Sequence, residues 1–201
     1  MTSSASTGNP LRSIARASVR AHMSEVAIEL FALRGFDNVT VEEIAAVVGV
    51  SARSFHRYFP TKEDAVIGDV GPWGEFVRDQ FAARSPSEPL WESLHAAFDG
   101  LLASSGEQGE REKRGLRVLA STASLRARHR EKHALWEKLL IPLVESRLAE
   151  PDVALRSRVI VQAAVACFDT ALAVWATPGE TRSSRELLAI AFDQFDTMGE
   201  I

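Results

Sequence analysis

Between Thr40 and Asp64 three helix-start signals follow one another: Thr40 with Glu43 three positions on, Ser51 after Gly49-Val50, and Thr61 with Asp64. In such a pair the hydroxyl accepts the N–H of the third residue of the helix, and the acid returns a bond to the backbone of the cap. Val41, Ile44, Ala45 and Val48 fall at i, i+3, i+4 and i+7 after the first cap, so the spacing predicts a helix of only about two turns. Gly49-Val50-Ser51 breaks it. Phe55, Tyr58 and Phe59 supply the inner face of the next helix, which Pro60 ends. A longer helix from about Leu11 to Arg34 precedes both, with Val26, Ala27, Leu30, Phe31 and Leu33 as its apolar stripe and Gly35 placed to end it in a left-handed conformation. Two short helices around a glycine turn, braced by a long one, make a helix-turn-helix.

The rest of the 201 residues also reads as helix: tyrosine occurs once, and apolar residues recur at spacings of three and four. The expected class is all-α, with about nine helices in total. A fourth helix opens at Thr61 and continues past Gly68, Gly71, Pro72 and Gly74 with a kink, resuming over Phe76–Phe81 and forming a continuous link into the later chain. Further helices are expected over about 90–103, 111–120, 127–148, 151–176 and 183–198, the last started by Ser183 with Glu186. The division expected is a disordered tail over 1–10, a DNA-binding domain over 11–60 and a ligand-binding and dimerisation domain over 61–201.

Hydrophobic residues make up 46% and charged residues 25%, which excludes collagen-like, wholly disordered and disulfide-scaffold chains. The single cysteine, Cys167, can form no internal disulfide, reads as inert filler, and fits the reducing cytoplasm. Val159–Ala176 is the most apolar stretch, but Gln162, Asp169 and Thr170 interrupt it, so no membrane span is expected. With a formal charge of -4 the chain is not built to wrap nucleic acid non-specifically. Any DNA contact has to come from a local patch.

Such a patch lies on the second short helix, whose outer face carries Ala52, Arg53, His56 and Arg57. Arginine can donate a bidentate pair to guanine O6 and N7 in the major groove, and capped helix starts present N–H groups to phosphates. The run Gly35-Phe36-Asp37-Asn38-Val39-Thr40-Val41-Glu42-Glu43-Ile44-Ala45, followed by Gly49-Val50-Ser51 and by Ser54-Phe55-His56-Arg57-Tyr58-Phe59-Pro60-Thr61-Lys62-Glu63, resembles the TetR family of bacterial one-component repressors. The resemblance covers about the first 65 residues. It implies a three-helix DNA-binding domain, a larger helical ligand-binding and dimerisation domain, and a homodimer on a palindromic double-stranded operator that a small apolar or amphipathic effector releases. Carried over position by position, it implies phosphate-contacting caps at Thr40 and Ser51 and base or phosphate contacts from Arg53 and Arg57. It further implies a DNA-facing place for Ser54, aromatic phosphate contacts from His56 and Tyr58, and a point charge from Lys62. His56 stands where tyrosine is commoner in the family. Arg12, Arg16 and Arg20, at i, i+4 and i+8, read either as a solvated stripe or as a phosphate-facing extension.

Beyond the first 65 residues the resemblance is one of layout, with one local exception. Leu125-Arg126-Ala127-Arg128-His129, followed by Trp136-Glu137, is similar to regulators resembling the mycofactocin regulator, whose ligands are acyl-coenzyme A-like. That similarity implies an arginine facing a ligand phosphate within the cationic stretch from Arg111 to Lys132; the plainer reading is a solvated face. Trp73, Phe76, Phe98, Trp136 and Phe168, together with Trp91, lie on helices that would surround an effector pocket, although aromatics at helical spacing also build cores. The segment after Pro151 is apolar nearly all round, so Val161, Ala164 and Val165, with Leu188, Phe192 and Phe195 of the last helix, are expected at a four-helix dimer interface. His129 and His133 are four apart, but the sequence indicates no third ligand, so no metal and no cofactor is expected. The alternative function is a helical small-molecule-binding protein or enzyme whose helix-turn-helix is only scaffold. No Gly-rich phosphate loop, nucleophile elbow or catalytic dyad favours an enzyme.

Overall fold

Local signals translate directly into elements in the computed structural model, which describes residues 10–68, 71–104 and 109–198. Ten α-helices and one 3₁₀ turn form there, with no strand among the described residues. The expected tail over 1–10 lies outside those residues except for Pro10, which begins the first helix. Contacts divide the chain into two units, Met1–Gly68 and Asp69–Ile201. The boundary expected after residue 60 therefore moves to Gly68.

In the first unit α1 spans Pro10–Arg34, followed by the 3₁₀ turn Phe36–Asn38, α2 Val41–Val48, α3 Ala52–Tyr58 and α4 Lys62–Ile67. Thr40 makes a full capping box: its Oγ1 accepts from Glu43 N at 3.2 Å, and its own N–H donates to Glu43 Oε2 at 2.8 Å. Thr61 and Asp64 repeat the box, and Ser51 Oγ accepts from Ser54 N. Gly49 at φ 80° and ψ 31° closes α2 in the left-handed region, and Val50 N bonds back to Ala45 O at 2.9 Å. An L side chain is strained at that φ, so glycine belongs at this turn. Met23, Ala27, Phe31, Ile44, Phe55 and Phe59 fill the core of this unit. Leu33 is corrected as a member of the α1 stripe: it is 82% exposed, whereas Met23, one turn before Val26, is fully buried.

The second unit holds α5 Gly71–Ala82, α6 Leu90–Ser104, α7 Glu110–Ser121, α8 Ala123–Glu145, α9 Val153–Trp175 and α10 Ser184–Met198. The expected kinked fourth helix is two helices. Gly68 caps α4 at φ 72°, and Gly71-Pro72 opens α5, where proline's missing N–H removes no helical bond. Likewise α9 starts at Val153 after Asp152, not at Pro151. α9 is the hub of this unit, packing against α6, α7, α8 and α10. By length and composition α9 could cross a membrane, yet Ser157, Val161, Ala164, Val165, Cys167, Phe168, Ala171 and Trp175 are buried within the chain. Cys167 donates to Ala191 O, and burial pushes its thiol up to about 11, consistent with an inert filler.

Candidate nucleic-acid interface and effector cavity

The cap at Ser51 and the buried rings of Phe55 and Phe59 fix which way α3 faces. With those two rings packed 5.3 Å apart at its inner side, Arg53, His56 and Arg57 are left on the outer side, all exposed. Ser54 and Tyr58 are half-buried at the edges, and Thr40 and Ser51 are exposed at the helix starts. The eight expected DNA-facing residues are thus divided by their surroundings. His56 leans its Nδ1 toward Pro60 O at 3.3 Å, and the Tyr58 ring carries the guanidinium groups of Arg16 at 5.8 Å and Arg57 at 5.4 Å. Arg20 lies over Phe59 at 5.2 Å, so the described part of the α1 arginine stripe is braced against aromatic rings. Arg12 falls outside the residues whose side chains are described.

Lys62 is corrected as a point charge held out to phosphate. Its Nζ donates to Phe36 O at 2.8 Å and Val39 O at 3.1 Å, and sits 4.1 Å from the centroid of the Phe36 ring. The ammonium ties the start of α4 to the segment entering α2. Beside it Arg34 donates to Glu43 Oε1 at 2.6 Å; the Thr40 backbone N–H and this guanidinium hold the Glu43 carboxyl below its ordinary range.

In the second unit the expected pocket aromatics are core. Phe98, Trp136 and Phe168 are each at most 5% exposed and pack on one another at centroid distances of 5.2 to 6.2 Å. Gly74 lies directly against the Trp136 ring, Phe76 is half-buried and Trp73 is half exposed. A cavity of about 580 Å³ lies instead among α7, α8 and α9, lined by apolar groups such as Leu116, Leu119 and Leu172 and by Arg117, Arg126, His129, Arg130 and Asp169. None of the five expected aromatics lines it. Of the cationic stretch, Arg117 donates to Ala176 O, Arg126 to Ala120 O and Lys113 to Glu180 O, while Arg128 pairs with Glu131. Much of the stretch therefore braces helix ends, and Arg117, Arg126 and Arg130 reach the cavity.

One half-buried acid at the cavity belongs to no motif of the sequence. Asp169, on α9, faces both histidines of α8: His129 Nε2 is 3.3 Å from its Oδ1 and His133 Nδ1 is 3.1 Å from its Oδ2. Burial alone would raise the Asp169 carboxyl, but the hydrogen bonds from His129 and His133 outweigh it and hold the group at about 2. The signal was present: an acid midway along an apolar helix is costly to bury unless it is paired.

The dimer residues are also redistributed. Val161, Ala164, Val165, Leu188 and Phe192 are all buried within the single chain, and only Phe195 of the expected six is exposed, at 46%. The uncovered apolar groups of α9 and α10 are Leu155, Val159, Val174, Ile190 and Phe195. An all-round apolar helix gives no sequence cue to which side its own subunit takes.

Comparison with known proteins agrees with this architecture. Residues 24–66 match the family of bacterial regulatory proteins described as tetR, and residues 88–198 match the MftR C-terminal domain. MftR of Mycobacterium tuberculosis, named as a transcriptional regulator of mycofactocin biosynthesis, is 30% identical over 135 residues, covering 63% of this chain and 64% of that protein. The chain thus spans less than two thirds of that relative's length. The HTH-type transcriptional regulator TcmR of Streptomyces glaucescens is 26% identical over 174 residues, covering 83% of this chain and 76% of TcmR. Among solved structures, native NalD of Pseudomonas aeruginosa, the secondary repressor of a multidrug efflux pump, superposes with a TM-score of 0.57 at 19% identity, covering 88% of this chain and 96% of NalD. FadR of Thermus thermophilus, a repressor solved with lauroyl-CoA, superposes at 0.51 and 24% identity, covering 87% and 91%. At such identities these structures speak for the fold alone. MftR and TcmR are both named as transcriptional regulators.

Proposed function

The chain belongs to the TetR family of bacterial regulators and carries that family's MftR-type C-terminal domain, and from this premise we propose that it is a cytoplasmic, homodimeric repressor whose grip on a palindromic operator is released by an amphipathic effector. The observation that carries the DNA half is the outer face of α3, where Arg53, His56 and Arg57 stand exposed because Phe55 and Phe59 hold the opposite side in the core. A helix presenting two arginines in this way fits the major groove, with Thr40, Ser51, Ser54 and Tyr58 at its flanks placed for phosphates. Lys62 acts by positioning, through the Phe36 and Val39 carbonyls. The effector half is supported by the cavity, whose apolar lining ends at Arg117, Arg126 and Arg130. That combination suits a ligand with an acyl body and an anionic head, the kind of molecule in the lauroyl-CoA complex of the FadR neighbour. The exposed apolar row of α9 and α10 is the surface for the second subunit.

The test is a gel shift with duplex DNA from immediately upstream of the protein's own gene. Arg53→Ala and Arg57→Ala should each weaken binding by ~1–3 kcal/mol without loss of helical signal, and lauroyl-CoA should release the wild-type complex where free coenzyme A does not. Wild-type affinity in both arginine variants would remove the assignment of α3 as the reading helix.

A further inference from the structure

The Asp169–histidine cluster is not needed for DNA reading and is not accounted for as ordinary packing. His129 and His133 stand one turn apart on α8, their ring centroids 3.9 Å apart, and Asp169 meets them from α9. The nitrogen or oxygen atoms that each could offer to a metal all lie within 4.8 Å of one another. His129 directs its Nε2 to Asp169, and its Nδ1 is buried and has no hydrogen-bond partner among the described residues.

Metal bonds of ~2.0–2.2 Å in a tetrahedron put neighbouring ligand atoms ~3.3–3.5 Å apart. The two histidine–aspartate separations, 3.3 Å from His129 to Oδ1 and 3.1 Å from His133 to Oδ2, are each close to that edge but end on different oxygens of the one carboxylate. Binding through a single oxygen therefore needs a turn of the Asp169 carboxylate as well as an adjustment of the histidine–histidine edge. His133, at 4% exposure and stacked 4.5 Å from Trp136, supplies the fixed end.

We propose that His129, His133 and Asp169 form a three-ligand site for a divalent transition metal of the zinc class, with a coordination position open to the cavity among α7, α8 and α9. Two imidazole nitrogens and one carboxylate oxygen suit Zn²⁺, Co²⁺ or Ni²⁺, whereas Mg²⁺ and Ca²⁺ take all-oxygen sets. Three protein ligands leave the fourth position free, as in sites that bind an exchangeable group and unlike closed structural sites. His129 and Asp169 both line the cavity, so that position faces its contents. Arg126 turns one guanidinium nitrogen to Ala120 O at 2.7 Å, and exposed Arg130 on the same rim favours an anionic donor at the open position. The site is independent of the DNA-binding reading.

The experiment uses the full chain stripped with a chelator. Equilibrium dialysis against Zn²⁺ should give one ion per chain, and Co²⁺ should develop the visible bands of a four-coordinate site. His129→Ala and Asp169→Asn, checked for unchanged circular dichroism, should each weaken Zn²⁺ binding by ~10-fold or more. Independently of either variant, Co²⁺ should broaden the ring resonances of His129 and His133 in the wild-type protein and spare those of His22, His56 and His95. Sub-stoichiometric binding at micromolar Zn²⁺, undiminished binding in the folded variants, or broadening confined to the other histidines would each overturn the site.

Discussion

Gly74 and Gly100 both lie within helices, yet the same substitution should move stability in opposite directions. A Cβ on Gly74 would stand 2.5 Å from Trp136 Cδ1 and 2.8 Å from its Nε1. Ordinary carbon contacts are ~3.5–4.0 Å, so the overlap is about 1 Å. The indole cannot swing away: it is 1% exposed and hemmed by His133, Phe98 and Phe168. Overpacking of this kind costs ~1–3 kcal/mol, against which alanine regains ~0.5–1 kcal/mol over glycine in a helix, leaving a net loss of up to ~2.5 kcal/mol. A Cβ on Gly100 meets nothing nearer than Gln80 Oε1 at 3.6 Å, an ordinary contact, so Gly100→Ala should keep the whole gain of ~0.5–1 kcal/mol. Urea titrations followed by tryptophan fluorescence would read this as midpoints moving to either side of wild type at unchanged slope, and in heating as roughly 2–4 °C per kcal/mol. A Gly74→Ala protein as stable as wild type, or a Gly100→Ala protein destabilised to the same extent, would refute the packing argument.

Leu155→Asp or Val159→Asp, on the uncovered row of α9, should leave the subunit folded but raise the dimer Kd by ~10-fold or more in sedimentation, whereas Val161→Asp, buried at 0% exposure, should unfold it. Unchanged association in both surface variants would move the contact elsewhere. The Asp99 carboxyl is held below its ordinary range chiefly by hydrogen bonds from Arg185, against the opposing effect of burial. A depressed folded-state value contributes stability that is complete above the unfolded pKa of ~3.9 and is lost as pH falls through the folded value. Arg185→Ala should therefore lower the urea midpoint at neutral pH, a gap that closes in acid; a gap that widens in acid would reverse the sign of this pairing.

What the sequence determined by itself is local. The caps at Thr40, Ser51 and Thr61, the left-handed Gly49 and the alternation of buried Phe55 and Phe59 with exposed Arg53, His56 and Arg57 all depend on residues within about a turn of each other. The signals for these features lie close together in the chain, so the two short helices, their turn and the outward side of α3 were legible.

What only the tertiary structure decided involves distant partners. Lys62 reaches back 26 and 23 residues to the carbonyls that occupy it, and Asp169 meets histidines 40 and 36 residues earlier. No spacing rule along one helix can announce either encounter. The aromatics expected around a pocket and the aliphatics expected between subunits went into the core for a related reason: burial of apolar area is non-directional, so an apolar side chain is equally at home against any apolar neighbour. Which neighbour it receives, and hence which residues are left to line the cavity and the outer row of α9 and α10, is set by how four helices pack around α9 and not by the residues of any one of them.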